Sequence, residues 1–131
     1  MADEVRDGLG ALPGRHRRLV KGGALASCSI DLEAAIGTEA VARFDYLIAS
    51  DLRTVAMEVH PATPGEVKTM VAKKRGTAGV LDRDCPWLVV DRWAWIVPFG
   101  ATLGILRGTV AERQLATAGI GFPDRRLRLS T

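Results

Sequence analysis

Two short apolar segments separated by a mostly polar break constrain the fold of this chain more than any other feature. Residues 43–49 and 54–60 are rich in the branched and aromatic residues that favour β-strands. Only four residues, 50–53, lie between them, which is a connection short enough for a β-hairpin. The sequence therefore predicts an antiparallel pair of strands in one small domain.

The register of this hairpin places two acidic residues side by side. In an antiparallel pair, the residue numbers of any two opposed residues add up to the same total. A two-residue turn and a four-residue turn within 50–53 give the same total, so Asp45 lies opposite Glu58 in both cases. Alternate residues of a strand share a face, so both carboxylates and His60 point to one side of the sheet. The Cβ atoms of an opposed pair lie about 5 Å apart. The other face is apolar and is expected to belong to the core.

Two like charges directly opposite each other destabilise a sheet, so the pair needs a compensating feature. One carboxyl group could retain its proton, with a pKa raised by its neighbour. A hard divalent cation such as Mg²⁺ (or Mn²⁺) could lie between the carboxylates. Alternatively Arg43, Arg53 or a lysine could form a salt bridge with them. The sequence leaves these three alternatives open.

The remaining pattern predicts helices on both sides of the hairpin in the chain. A helix is expected at 29–36, and a second begins at Thr63, where a capping residue precedes Pro64. Gly76 is expected to weaken the end of this second helix. Further elements are expected as strands at 87–90, 93–97, 103–110 and 126–129 and as a helix to Ala118 that Gly119 ends. The order helix, strand, strand, helix, strand predicts an α/β (α+β) fold with a mixed central sheet flanked by helices.

The length of 131 residues suits one domain. Residues 1–23 are rich in Gly, Arg and Asp and lack periodicity, so we expect a flexible basic arm there and a single domain over 24–131. Apolar runs are too short to cross a bilayer, and the N-terminus has no apolar signal core. A soluble, cytoplasmic protein without a membrane partner is the expectation.

Basic residues are clustered, although the net charge is only +3. Such clusters suit phosphate backbones, which makes nucleic acid the expected partner; the alternative is a set of solvated surfaces. The residues expected to bind nucleic acid are Arg17, Arg18, Lys68, Lys73 and Arg75.

An Asp on one hairpin strand, a Glu-Val-His segment on the next and a helix after it together resemble the PD-(D/E)XK nuclease superfamily. The resemblance covers about residues 29–90. It implies that Asp45 is the first metal-ligand acid, that Glu58 is the acid of the Glu-X-Lys element, and that Glu33 supplies an additional metal ligand. It also implies Mg²⁺- or Mn²⁺-dependent phosphodiester hydrolysis.

His60 stands where the family has its lysine, which is the main departure from the pattern. In some members the lysine lies on the following helix. Lys68, Lys73 and Lys74 are the candidates, and Lys74 is favoured because it lies on the apolar face of that helix. The predicted catalytic set is therefore Asp45, Glu58, His60 and Lys74.

A catalytically inactive module of the same fold is the alternative function. It could bind nucleic acid, or it could bind a protein partner or a second copy of the chain as a homodimer. Three tryptophans, Trp87, Trp93 and Trp95, are compatible with an interface as well as with the core.

Overall fold

The computed structural model describes residues 2–51 and 53–130. Its α-helices and strands, in chain order, are β1 (Val5–Asp7), α1 (Gly14–Arg17), β2 (Val20–Lys21), β3 (Ala26–Asp31), α2 (Leu32–Ile36), β4 (Tyr46–Ser50), β5 (Thr54–Val59), α3 (Val67–Asp84), β6 (Arg92–Ile96), α4 (Val110–Ala118) and β7 (Leu127–Arg128). No helix among these residues is long and apolar enough to cross a membrane.

The central feature is a five-stranded mixed sheet in the order β1-β3-β4-β5-β6. The pairs β1–β3, β3–β4 and β4–β5 are antiparallel, and β6 runs parallel to β5. The parallel pair needs a crossover connection, which α3 provides. The α/β class and the order helix, strand, strand, helix, strand (α2, β4, β5, α3, β6) are therefore as the sequence predicts.

The predicted hairpin is present as β4 and β5, with Tyr46 paired to Met57 and Ala49 paired to Thr54. Continuing this register by one residue places Asp45, which immediately precedes β4, opposite Glu58. The predicted register is confirmed. The hairpin connection includes Leu52, which lies outside the described residues.

Both faces of the sheet are buried, whereas the sequence indicates one apolar face. The helix-side core consists chiefly of side chains from α2, α3, α4 and one sheet face, among them Leu32, Leu47, Ala56, Met70, Val80, Trp95 and Leu115. The opposite core consists of Leu12, Leu19, Val20, Tyr46, Ile48, Val55, Met57, Ala94, Ile96 and Leu127. Asp45 and Glu58 belong to the helix side, so helix α3 covers their face.

Helix α3 continues through Gly76 and Gly79 to Asp84, so the expectation that Gly76 weakens its end is wrong. A Cβ atom on Gly76 would lie 1.8 Å from the carbonyl oxygen of Ala42. The missing side chain therefore lets α3 pass directly against the segment that leads into β4. This close approach brings the helix over the Asp45–Glu58 pair.

Residues 2–23 contain regular structure, in contrast to the expected flexible arm. Strand β1 pairs with β3, and β2 pairs with β7 in a separate two-stranded sheet. Leu12, Leu19 and Val20 are buried in the opposite core. These apolar residues flank α1 at irregular intervals and show no periodicity, so only tertiary packing reveals their role.

Three further elements differ from the sequence expectation. Residues 29–31 extend strand β3, because they pair with β4, and the helix begins only at Leu32. Residues 87–90 are not a strand, and the side chain of Trp87 is 77% exposed. Residues 103–109 form no strand beyond an isolated bridge between Leu103 and Ala62, and Val110 already begins α4. Helix α4 is confirmed, with Thr109 accepting a hydrogen bond from the Glu112 N–H and Gly119 at a φ of 73° after its end.

Candidate active site

An Asp–Glu–Lys cluster, made of Asp45, Glu58 and Lys73, lies at the end of the central hairpin. Oδ2 of Asp45 accepts a hydrogen bond from the Val59 N–H at 2.8 Å, which turns the carboxylate toward β5. The main-chain carbonyl oxygen of Asp45 accepts a hydrogen bond from the Leu32 N–H at 2.9 Å. Asp45 is thus held by the start of α2 on one side and by β5 on the other.

Glu58 is the buried member of the cluster, with 1% of its surface exposed. Its Oε2 atom accepts a hydrogen bond from Nζ of Lys73 at 2.5 Å. Its Oε1 atom is buried and has no hydrogen-bond partner among the described residues. Trp95, fully buried on β6, is its neighbour on the side away from Asp45. The charged carboxylate is therefore stabilised by the lysine and, more weakly, by the backbone N–H of Asp45, while Oε1 forms no hydrogen bond within the described part of the chain.

Burial dominates the electrostatics of both acids. Loss of solvent, and then the charge of Asp45, raise the pKa of Glu58 to about 7, although the hydrogen bond from Lys73 opposes this rise. Burial likewise raises the pKa of Asp45 above its ordinary value, against the opposing Val59 N–H and the charge of Lys73. Two acids with raised pKa values beside a cation form an arrangement that is common at functional sites.

Lys73 is the lysine at this cluster, and Lys74, which the sequence favours, is elsewhere. Nζ of Lys74 donates a hydrogen bond to the carbonyl oxygen of Ala118 at the end of α4, and it lies 5.4 Å from the ring centroid of Trp93. The two lysines leave α3 on opposite sides of its buried face, Lys73 toward β5 and Lys74 toward α4. Lys73 is also among the residues expected to bind nucleic acid, but its ammonium group already forms an ion pair with Glu58.

His60 does not reach the two carboxylates through any hydrogen bond. Its Nδ1 atom lies 2.7 Å from the carbonyl oxygen of Pro61, and its Nε2 atom lies 3.8 Å from Oε2 of Glu66. Strand β5 ends at Val59, so His60 already belongs to the turn toward α3. Its main-chain carbonyl accepts a hydrogen bond from Nε1 of Trp95 at 3.0 Å.

Glu33 does not join the pair as a third acid. Its side chain is 79% exposed and lies 3.8 Å from Nε of Arg43. Across residues 2–51 and 53–130, no group of three or more His, Cys, Asp and Glu side chains could hold a metal ion. Arg43 also donates to the carbonyl oxygens of Val41, Gly37 and Glu39, so neither it nor Arg53, at the far end of β5, neutralises the pair.

Helix α1 brings His16 close to Asp45. Nδ1 of His16 lies 2.6 Å from the hydroxyl oxygen of Tyr46, the residue after Asp45. Burial and the charge of Arg15 lower the pKa of His16, while the charge of Asp45 opposes this shift.

Four of the residues expected to bind nucleic acid are exposed, namely Arg17, Arg18, Lys68 and Arg75.

The three tryptophans separate into two groups. Trp93 and Trp95 are 8% and 0% exposed and belong to the helix-side core, so they are unavailable to a partner. Trp87 is exposed in the loop before β6.

Sequence reasoning also missed the contact between His16 and Tyr46, because thirty residues separate them and no local pattern links them.

The fold and these contacts define a mixed α/β protein in which a half-buried aspartate, a buried glutamate and one lysine lie at the end of the central hairpin. Comparisons of the chain with protein-family models, with curated proteins and with solved structures give no match. The chemistry of the site is therefore inferred from its own geometry.

Proposed function

We propose that this chain is a Mg²⁺- or Mn²⁺-dependent phosphodiester hydrolase with a site built on Asp45 and Glu58. The observation that carries the proposal is the position of Lys73, whose Nζ lies 2.5 Å from Glu58 while Asp45 is the neighbouring acid on the same face. An acid, a second acid and a lysine are the set found in the PD-(D/E)XK nucleases that the sequence resembles. Lys73 on the following helix would take the role of the lysine that His60 replaces.

The donor atoms of the pair suit a hard divalent cation. Mg²⁺ is usually bound through one or two carboxylates, and water and phosphate oxygens complete its coordination. Oε1 of Glu58, buried and without a hydrogen-bond partner in the described part of the chain, is an oxygen of the required kind. Asp45 and Glu58 would hold the ion, without Glu33. When bound, the ion lowers the pKa of a water molecule and offsets negative charge on the phosphoryl group.

The residues of the chain prepare this site in three ways. The Val59 N–H fixes the carboxylate of Asp45, and Lys73 fixes that of Glu58 and adds a positive charge beside the reacting phosphate. Glu58, with a pKa of about 7, is ionised above neutral pH, so cation binding and hydrolysis should increase through that range. Exposed Arg17 and Lys68 would bind flanking phosphates with an affinity that falls as salt increases.

The test is cleavage of single- and double-stranded DNA and RNA in Mg²⁺, in Mn²⁺ and in EDTA. We expect metal-dependent cleavage that Asp45→Asn and Glu58→Gln each reduce about 100-fold or more. Glu33→Gln is the matched control and should retain full activity. Cleavage that survives Glu58→Gln would contradict a site built on Glu58, and absence of cleavage on all four substrates in both metals would refute the proposal.

A nucleic-acid-binding module without hydrolysis is the second candidate. It is favoured by the near-complete burial of Glu58 and by its neutralisation by Lys73. Such a module should retard nucleic acid in a salt-sensitive way without cleavage, and Arg17→Gln with Arg18→Gln should weaken retardation while Glu58→Gln should not. If neither activity is found, the prediction of a homodimer or a protein partner is tested by sedimentation equilibrium.

A further inference from the structure

Three arginine side chains from separate segments line one cavity at the end of the sheet opposite the Asp45–Glu58 pair. Arg53 precedes β5, Arg92 begins β6 and Arg128 ends β7. The cavity has a volume of about 170 Å³. Glu58 lies five residues beyond Arg53 along β5, about 16 Å at the rise of an extended strand, so the two sites are distinct.

The positive charge in this cavity is not neutralised by the described part of the chain. None of the three guanidinium groups there forms an ion pair with a described carboxylate, whereas Arg83 and Arg107 each pair with a glutamate at 2.8 Å and 2.7 Å. Like charges that line one cavity repel one another, and an anion bound among them would relieve that repulsion.

Among the described residues, Asp91 is the one acid that lines the cavity, and its carboxylate is hydrogen-bonded to the backbone. Its Oδ2 atom accepts a hydrogen bond from the Thr54 N–H at 2.8 Å, and its own N–H donates to the Thr54 carbonyl oxygen at 2.8 Å. This reciprocal pair ties the start of β6 to the start of β5. The described lining residues thus contribute three cations and one carboxylate, a net positive charge.

Main-chain hydrogen bonds hold the backbone at Arg53 and next to Arg128, and a side-chain hydrogen bond links Arg92 to Arg128. The Ser50 N–H donates to the Arg53 carbonyl oxygen at 2.8 Å, and Nη1 of Arg92 donates to the Arg128 carbonyl oxygen at 3.4 Å. The Leu129 N–H, next to Arg128, donates to the carbonyl oxygen of Lys21 at 2.9 Å. Binding of an anion would therefore need side-chain adjustment only, which lowers its entropic cost.

We propose that Arg53, Arg92 and Arg128 bind a phosphate group in this cavity. The planar guanidinium fork of arginine donates two parallel hydrogen bonds to phosphate oxygens, and arginine remains charged at all relevant pH values. The phosphate could belong to the end of a nucleic acid strand or to a small phosphomonoester, which share this chemistry. The proposal does not depend on the proposed hydrolysis.

Inorganic phosphate is the first probe, titrated by calorimetry against potassium chloride at matched ionic strength. Wild-type protein and the control variant Arg126→Gln, which changes an exposed arginine outside the cavity, should bind phosphate equally. Arg92→Gln and Arg53→Gln should each reduce affinity about tenfold, because each removes charge-assisted hydrogen bonds. These side chains are exposed, so the variants should fold.

A second measurement locates the site and separates the two sources of phosphate. Amide NMR signals of Ser50, Thr54 and Arg92 should shift on titration. A 5′-phosphorylated oligonucleotide that competes better than its 5′-hydroxyl form and better than adenosine monophosphate would assign a strand terminus, whereas equal competition by the monophosphate would assign a small phosphomonoester. No phosphate binding beyond the chloride control, or equal loss in Arg126→Gln, would overturn the proposal.

Discussion

The ammonium group of Lys73 lies 2.5 Å from Oε2 of Glu58, yet the pKa of that carboxyl group is raised to about 7. An exposed ion pair of this length would lower the pKa of the acid. Here the removal of solvent and the charge of Asp45 outweigh the lysine. The charge state of Glu58 therefore changes near neutral pH, and both the stability and the chemistry of the site should change with it.

The first prediction concerns stability against pH. The folded-state pKa of Glu58 exceeds its ordinary value of 4.5, so the folded protein binds more protons than the unfolded chain between these values. The contribution of Glu58 to the free energy of unfolding should be fully present below about pH 4.5 and fall, by about 2–3 kcal/mol, as pH rises to about 7. Denaturant unfolding between pH 4 and 8 measures this contribution as the difference between wild type and Glu58→Gln.

The matched control for this profile is Glu33→Gln, because Glu33 is an exposed acid. Its profile should run parallel to that of the wild type. If the wild type and Glu58→Gln also ran parallel over this range, Glu58 would have an ordinary pKa and the account of its burial would be wrong.

The second prediction compares two adjacent lysines on α3. Lys73→Met leaves the carboxylate of Glu58 buried without its cation, so the free energy of unfolding at pH 8 should fall by about 3 kcal/mol. At pH 5 Glu58 is protonated and the loss should be much smaller. Lys74→Met removes the contacts with Ala118 and Trp93, which contain no acid, and should cost about 1 kcal/mol at both pH values. Equal pH dependence in the two variants would contradict the assignment.

The hairpin register could be predicted because it depends only on local periodicity. Two strands with alternating burial and a short even connection fix which residues oppose each other, and Asp45 and Glu58 follow from that arithmetic. The strand sequences do not predict that α3 packs on the face that contains Asp45 and Glu58. On that face of β5, Ala56 and Glu58 do not form a continuous apolar stripe.

Which lysine of α3 meets the acid pair depends on the rotation of the helix about its own axis. The sequence predicts this rotation less precisely than it predicts the register of the hairpin. Lys73 and Lys74 both lie near the buried face that contains Met70 and Thr77, and only the positions of β5 and α4 decide which lysine meets the acids. A polar Thr77 one turn after Lys73 is a signal that could have favoured Lys73. The N-terminal segment had no such signal, because its buried residues follow no period.

The third prediction concerns Thr77, which is fully buried beside the segment leading into β4. Its hydroxyl oxygen accepts the Phe44 N–H at 2.8 Å, and the hydroxyl donates to the Lys73 carbonyl oxygen at 2.8 Å. Thr77→Val keeps the shape but leaves the Phe44 N–H unsatisfied, which should cost about 1–3 kcal/mol of unfolding free energy. Thr77→Ser retains the hydroxyl and should cost less, as thermal unfolding would show. If Ser and Val were equally destabilising, lost packing would explain the effect.

The fourth prediction concerns the contact that brings α3 to the acid pair. A Cβ on Gly76 would meet the Ala42 carbonyl oxygen at 1.8 Å, so Gly76→Ala must push the helix away from the segment before β4. Gly79, in the same helix, has nothing within 4 Å of its position for a Cβ. Gly79→Ala should therefore stabilise the protein by up to about 1 kcal/mol, the usual gain in a helix interior.

Gly76→Ala should destabilise the protein by about 2 kcal/mol or more, since the clash exceeds the gain in helix propensity. Displacing α3 should also lengthen the distance between Lys73 and Glu58, so the pH profile of this variant should move toward that of Lys73→Met. Denaturant unfolding of both alanine variants at pH 5 and pH 8 measures the two effects together. If Gly76→Ala stabilised the protein, α3 could not lie in close contact with Ala42. The explanation of how Lys73 is positioned beside Glu58 would then be wrong.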